Sequence, residues 1–238
     1  MELYLKVDRN CGHNTTVKYI KNFKKIIRIA QANGWIKSDP FIRIKMQLKK
    51  VDKEFLTEEE LNTIIEKDFG IERLNNVKDI FLFGCFTGLA YSDLKLLKPE
   101  NVITGLDGGR WIITKRLKTD NDSHIPLLPI AAKIVDKYKD NLYCNSRNVL
   151  LPVYSNQKLN CYLKEIGDVC GIRKHMSTHM ARHTFATTVT LNNDIPIESV
   201  SKMLGYSSIK MTQVYAKLLD KKVAQDMARL NLKYSILI

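Results

Sequence analysis

The chain has 238 residues, 45% of them hydrophobic, enough apolar material to fill a core and to exclude a disordered chain. Thirty-eight Lys and Arg against 25 Asp and Glu leave a net charge of +13, which suits a polyanionic partner such as nucleic acid. The start carries no signal-peptide pattern, no apolar run is long enough for a membrane span, and five scattered cysteines (Cys11, Cys85, Cys144, Cys161, Cys170) without a C-x-x-C pair argue against zinc or redox chemistry and for a reducing cytosol.

Residues 15–33 are predicted to be helical, capped by Asn14 or Thr15 and ended by Asn33-Gly34. Val17, Ile20, Phe23, Ile27 and Ala30 form its apolar stripe. Lys18, Lys21, Lys25 and Arg28 occupy another stripe, which either faces phosphates or is simply solvated. Residues 41–49 then alternate, with Ile42, Ile44, Met46 and Leu48 against Arg43, Lys45, Gln47 and Lys49. Period two predicts an extended segment with one apolar and one basic edge. With Lys50 and Lys53 it makes a positively charged linker able to follow a DNA backbone.

Thr57 with Glu60 is a capping box for a helix over 57–68. A second helix is expected over 73–87, ended by Thr87-Gly88-Leu89, and a short one over 92–97. Strands are expected at 101–104, 110–117 and 123–127, joined by turn-rich segments. Helices resume at 129–139, 156–170, 178–191, 196–204, 208–217 and 221–230, and Cys85, Cys161 and Cys170 fall in apolar helical patterns that predict buried thiols. The expected class is mainly α with a small antiparallel sheet (α+β).

Three places could carry chemistry. His179 and Arg182 are three apart and share a helix face, in a first turn capped by Ser177 or Thr178 where the helix dipole adds positive potential. His183, turned roughly 100° from Arg182, reads as structural. Lys118, in Leu117-Lys118-Thr119, lies where a strand enters a polar turn. Tyr215 closes Leu204-Gly205-Tyr206-Ser207-Ser208-Ile209-Lys210-Met211-Thr212-Gln213-Val214-Tyr215. Each has a plainer reading: a chance H-x-x-R, a solvated turn lysine, a core tyrosine. Together and in this order they suggest cations that clamp a phosphate beside a phenolic nucleophile. A free phenol is a weak nucleophile near neutrality and needs such cations to stabilise its anion.

This ordered set resembles the tyrosine recombinases of the phage-integrase family, notably versions on mobile elements of Bacteroides-like bacteria. The resemblance covers nearly the whole chain, with its most specific block from Ser177 to Lys217. It implies a catalytic domain over 51–238, preceded over 1–50 by a basic linker and part of a helical core-DNA-binding domain. It implies a DNA integrase that cuts and rejoins double-stranded DNA. Tyr215 attacks the phosphate to give a 3′-phosphotyrosyl link, Arg182, His179 and Tyr206 stabilise it, and Lys118 protonates the 5′ oxygen, with Lys115 and Arg116 as neighbouring alternatives. The link conserves phosphodiester energy, so no ATP, metal or other cofactor is implied. The implied setting is the bacterial cytoplasm at the nucleoid. The implied assembly is a homotetramer on DNA and a monomer off it, with Leu218, Leu219, Val223, Met227 and Leu230 supplying an apolar docking face.

Two positions depart from the family pattern. After Thr87-Gly88-Leu89 the family places its first catalytic arginine, and here Ala90 follows. Lys78 or Arg116 could substitute, and Asp93 fits the acidic position that comes next. After Leu204-Gly205 the family has His or Trp, and here stands Tyr206. Weak activity is expected if the arginine is not replaced. A catalytically impaired DNA-binding relative and a type IB topoisomerase-like enzyme that relaxes DNA are the competing expectations.

Overall fold

The computed structural model describes residues 1–49, 53–216 and 227–228. The chain divides into two compact units, Met1–Asp52 and Lys53–Ile238.

The first unit holds α1 (Glu2–Lys6), which the sequence pattern did not predict, and α2 (His13–Ala32). Helix α2 starts at Gly12 with no side-chain cap. Asn14 instead bonds the backbone of Lys49 in both directions, at 2.9 and 2.8 Å, so neither expected cap is used. Val17 and Ile20 are buried, and Phe23 meets Phe41 edge-on at 5.4 Å. Lys18, Lys21, Lys25 and Arg28 are exposed. Residues 44–49 form no strand; Lys24 donates to the carbonyls of Phe41 and Ile44, and His13 contacts the carbonyl of Gln47. Arg43 and Lys45 are exposed, but so are Ile42, Ile44 and Leu48. Period two therefore separates the residue types without creating a buried edge.

The second unit opens with α3 (Glu58–Glu66), whose capping box is formed: Thr57 Oγ1 accepts from the Glu60 amide, and Glu60 accepts from the Thr57 amide at 2.8 Å. Helix α4 (Glu72–Thr87) is the central rod. It buries Leu74, Val77, Ile80, Phe81, Leu82, Phe83 and Cys85 and packs on α6 (Pro129–Tyr138), α8 (Asn156–Val169) and α9 (Thr178–Thr184). A helix apolar nearly all round has to sit inside the core. After α5 (Tyr91–Leu96), strands β1 (Val102–Thr104), β2 (Arg110–Lys115) and β3 (Asp122–Pro126) make one antiparallel sheet in that order. Ile112 pairs with Ile125, and both are buried beneath it.

Helix α7 (Leu142–Arg147) was not anticipated; Asn141 caps it, and Asn148 closes it at φ 49°. Cys161 is exposed and Cys170 half-buried, against expectation, because both lie off the face of α8 that carries Leu159, Leu163 and Ile166. The continuous helix expected over 178–191 is α9 followed by a π turn (Phe185–Thr190) and a 3-10 turn (Leu191–Asn193). Threonine hydroxyls compete for its carbonyls: Thr187 donates to His183, and Thr190 donates to Phe185 and Ala186. Helices α10 (Ile197–Met203) and α11 (Lys210–Ala216) follow. A second, smaller core of Phe185, Leu191, Val200 and Leu204 takes in Tyr215. The expected helix over 221–230 lies outside the described residues except at its positions 227 and 228.

Candidate active site

Two glycines let the backbone come close enough to build the site. Gly88 ends α4 at φ 68°, where a side chain would strike the Phe185 ring. Gly205 follows α10 at φ 60°, where a Cβ would lie 2.5 Å from Arg116 Cδ. Both turns aim carbonyl groups at buried arginines.

Arg182 is 2% exposed. Its guanidinium donates to the carbonyls of Gly88 (2.5 Å) and Leu204 (2.6 Å), and its Nε lies 3.4 Å from Tyr206 Oη. Arg116, at the end of β2, donates to the same Leu204 carbonyl at 2.9 Å and to Asp93 at 3.3 Å. Asp93 also accepts from the Leu117 amide at 3.1 Å, tying the hairpin to α5. Tyr206 lies under both cations, with ring-to-guanidinium distances of 4.8 Å to Arg182 and 5.8 Å to Arg116. Burial, and then the charge of Arg116, lowers the proton affinity of Arg182.

Tyr215 is fully buried. Its hydroxyl lies 3.0 Å from His183 Nδ1 and 3.3 Å from Tyr206 Oη. Burial and then Tyr206 hold its pKa well above the ordinary phenol value, while Arg182 and Arg116 pull the other way. Burial also raises Tyr206, but Arg182, the bonds to Tyr215 and Arg182, and Lys53 outweigh it and leave Tyr206 below the ordinary value. Burial, His179 and Lys53 drive His183 down to about 3, so this imidazole is neutral at physiological pH. His179 packs edge-on against His183 at 4.4 Å, and burial followed by Lys53 lowers its pKa.

Of the expected residues, Tyr215, Tyr206 and Arg182 thus form one hydrogen-bonded cluster. His179 reaches the phenol only through the ring of His183. Lys118 is exposed on the turn beyond β2, and its charge is felt at His179. His183, expected to be structural, lies against the Tyr215 hydroxyl. Its spacing of four from His179, which puts both on one helix face, was the available signal. Of the two candidate replacement cations, Lys78 donates its ammonium to the Lys67 carbonyl at 2.7 Å. Arg116 is the one of the two that stands beside Arg182. Ala90 caps α5 through its carbonyl, which accepts from the Asp93 and Leu94 amides. Among the described residues no cluster fits a metal ion, and no helix is long and apolar enough to cross a membrane.

A model of the phage integrase family matches residues 54–222, and one of the phage integrase SAM-like domain matches residues 1–48. The chain belongs to the phage integrase family. It is a tyrosine-type site-specific recombinase. It is 23% identical over 236 residues to a tyrosine recombinase XerC of Pediococcus pentosaceus, covering 92% of this chain and 76% of that one. It is 26% identical over 237 residues to a tyrosine recombinase XerC of Bacillus licheniformis, covering 93% and 74%. The fold is also that of a lambda integrase (75–356) whose dimer was solved on a COC′ core site, with a TM-score of 0.71, 18% identity, and 90% and 76% of the two chains covered. The integrase-family match thus spans the whole hydrogen-bonded cluster described above.

Proposed function

We propose that this integrase-family chain binds double-stranded DNA and cuts and rejoins it through a phosphotyrosyl link to Tyr215. The observation that carries the reading is the pair of buried guanidiniums beside a buried phenol. A buried charge needs a partner. Asp93 answers Arg116, whereas Arg182 donates to neutral carbonyl and hydroxyl oxygens. That leaves positive potential for a phosphate next to Tyr215.

In this reading the phosphate settles against Arg182, Arg116 and His179. The Tyr215 oxygen bonds to phosphorus as the bond to the 5′ oxygen breaks. Its proton passes to water that reaches the opened site. Lys118 gives a proton to the departing 5′ oxygen, leaving a 3′-phosphotyrosyl end and a free 5′-hydroxyl. Donors fixed before the reaction favour the charge-rich transition state over the ground state. Reversal on a second strand completes the exchange. Because Tyr215 is buried, the groups around its hydroxyl have to part before a phosphate can reach it. Arg116 takes the place of the arginine missing at Ala90, and Tyr206 supplies a hydroxyl where relatives carry His or Trp.

The basic face of α2 (Lys18, Lys21, Lys25, Arg28), with Arg43 and Lys45, supplies backbone contacts in the core-DNA-binding part over 1–50. The catalytic part is 51–238. Four copies assemble on two DNA sites. The segment assigned to subunit docking lies outside the described residues apart from Met227, which is exposed.

A pool of nicked suicide duplexes with randomised cores tests the reading. Loss of the short fragment beyond the nick prevents religation, so a cleaving enzyme remains covalently attached under denaturing conditions. Recovery of such adducts supports it, and binding without adducts refutes it.

A further inference from the structure

We propose that Lys53 belongs to the nucleophile's site, where its ammonium group, set over the Tyr215 ring, favours the phenolate that attacks the phosphate. The inference rests on the reading of Tyr215 as nucleophile. Sequence patterning places Lys53 only at the end of a basic linker. The structure places its Nζ 5.2 Å from the centroid of the Tyr215 ring.

The position is anchored. Three residues downstream, Leu56 is fully buried, and its backbone is held from both sides by α9 and the π turn that follows. Its amide donates to Thr184 Oγ1 at 3.0 Å, and its carbonyl accepts from Thr188 Oγ1. Lys174 clamps the Phe55 carbonyl at 2.9 Å and the Glu60 carboxylate at 2.6 Å. Glu54 accepts from the His175 amide at 3.3 Å. Residues 54–56 are therefore stitched to the element that carries His179, Arg182 and His183. The same scaffold that fixes the phosphate clamp fixes the start point of the Lys53 side chain.

The effect follows from electrostatics. A cation over a neutral phenol feels only the ring quadrupole. Once the phenol loses its proton, the same cation faces a full negative charge, so the contact strengthens along the reaction coordinate. The charged and titratable groups around that oxygen are His183 and Arg182 of α9, Tyr206 of the turn after α10, and Arg116 at the end of β2, with His179 behind His183. Lys53 adds a cation on the ring side. Its field also reaches His179, His183 and Tyr206, lowering the proton affinity of each. Lys53 neither gives nor takes a proton in the step: the phenol proton goes to water, and Lys118 supplies the one on the 5′ oxygen. It is a positioning residue that acts through Tyr215.

The test uses the full chain and a nicked duplex recovered from the randomised pool, made with either an ordinary or a sulfur-bridged 5′ linkage. Lys53→Met should slow adduct formation about tenfold on both substrates at saturating DNA. It should also move the alkaline rise of the rate to higher pH, whereas Lys53→Arg keeps most of the activity. Lys118→Ala, in contrast, is rescued by sulfur, which leaves without a proton. An unchanged rate and pH profile in Lys53→Met overturns the inference. So does rescue of Lys53→Met by sulfur, which would assign it to the leaving oxygen, or a defect confined to DNA affinity, which would make it a phosphate contact. Absence of adducts in the parent removes the proposed function itself, a result distinct from any of these.

Discussion

At the scale of single residues, the cluster turns on which oxygen attacks and which cations support it. Tyr215→Phe removes one oxygen and leaves the packing of α11 intact, so covalent adducts should vanish while duplex affinity, read by gel shift, stays within about twofold. Arg116→Ala should cost about 10²–10³ in the trapping rate, the scale of one preorganised donor. Ala90→Arg should bring no gain, because its guanidinium would enter beside Arg116 and Arg182. The double change Arg116→Ala/Ala90→Arg should recover part of the loss. A faster Ala90→Arg single variant would mean that the donor position is empty. His183 adds a pH signature. Its folded pKa, about 3, lies below its unfolded value, so the unfolded chain takes up the proton first as pH falls below about 6.5. Stability should therefore fall by up to ~1.4 kcal/mol per pH unit between about 6 and 4 from this residue alone. His183→Asn should be less pH-sensitive over that window in urea denaturation.

At the scale of elements, the sequence was readable where one local rule acted and opaque where tertiary partners decided. The Thr57–Glu60 box, the apolar run of α4 and the three short strands follow from neighbours in the chain, and they stand within a few residues of expectation. Helix α7 escaped because Leu142-Tyr143-Cys144-Asn145-Ser146-Arg147 is too short to show a period. The π turn after α9 escaped because it depends on threonine hydroxyls, two of which hold the distant Leu56 backbone. The H-x-x-R, Tyr206 and Tyr215 positions were legible as a pattern. Arg116 was legible only as one of two candidate cations, and the places of His183 and Lys53 beside Tyr215 were not legible, because each arises from a contact across the fold. The basic face of α2 makes its own prediction. Neutralising Lys18, Lys21, Arg43 and Lys45 together should flatten the slope of log affinity against log salt by about 0.9 for each phosphate that these side chains neutralise. An unchanged slope would mean that they face only solvent.

At the scale of the whole molecule, β2, α9 and the turn after α10 bring two buried arginines to a buried phenol, the set that the proposed reaction uses to hold a phosphate. The proposed function assigns binding to the basic N-terminal unit and chemistry to the buried cluster of the second unit. Such a division predicts that binding survives changes that abolish cleavage. The central claim is that Tyr215 itself becomes joined to DNA. Proteolysis of the denatured adduct formed on the nicked suicide duplex, followed by mass spectrometry, reads the joined residue directly. A nucleotide mass is expected on the peptide bearing Tyr215 and none on that bearing Tyr206. A DNA link on Tyr206 or on any other residue, or no link at all, would contradict that claim.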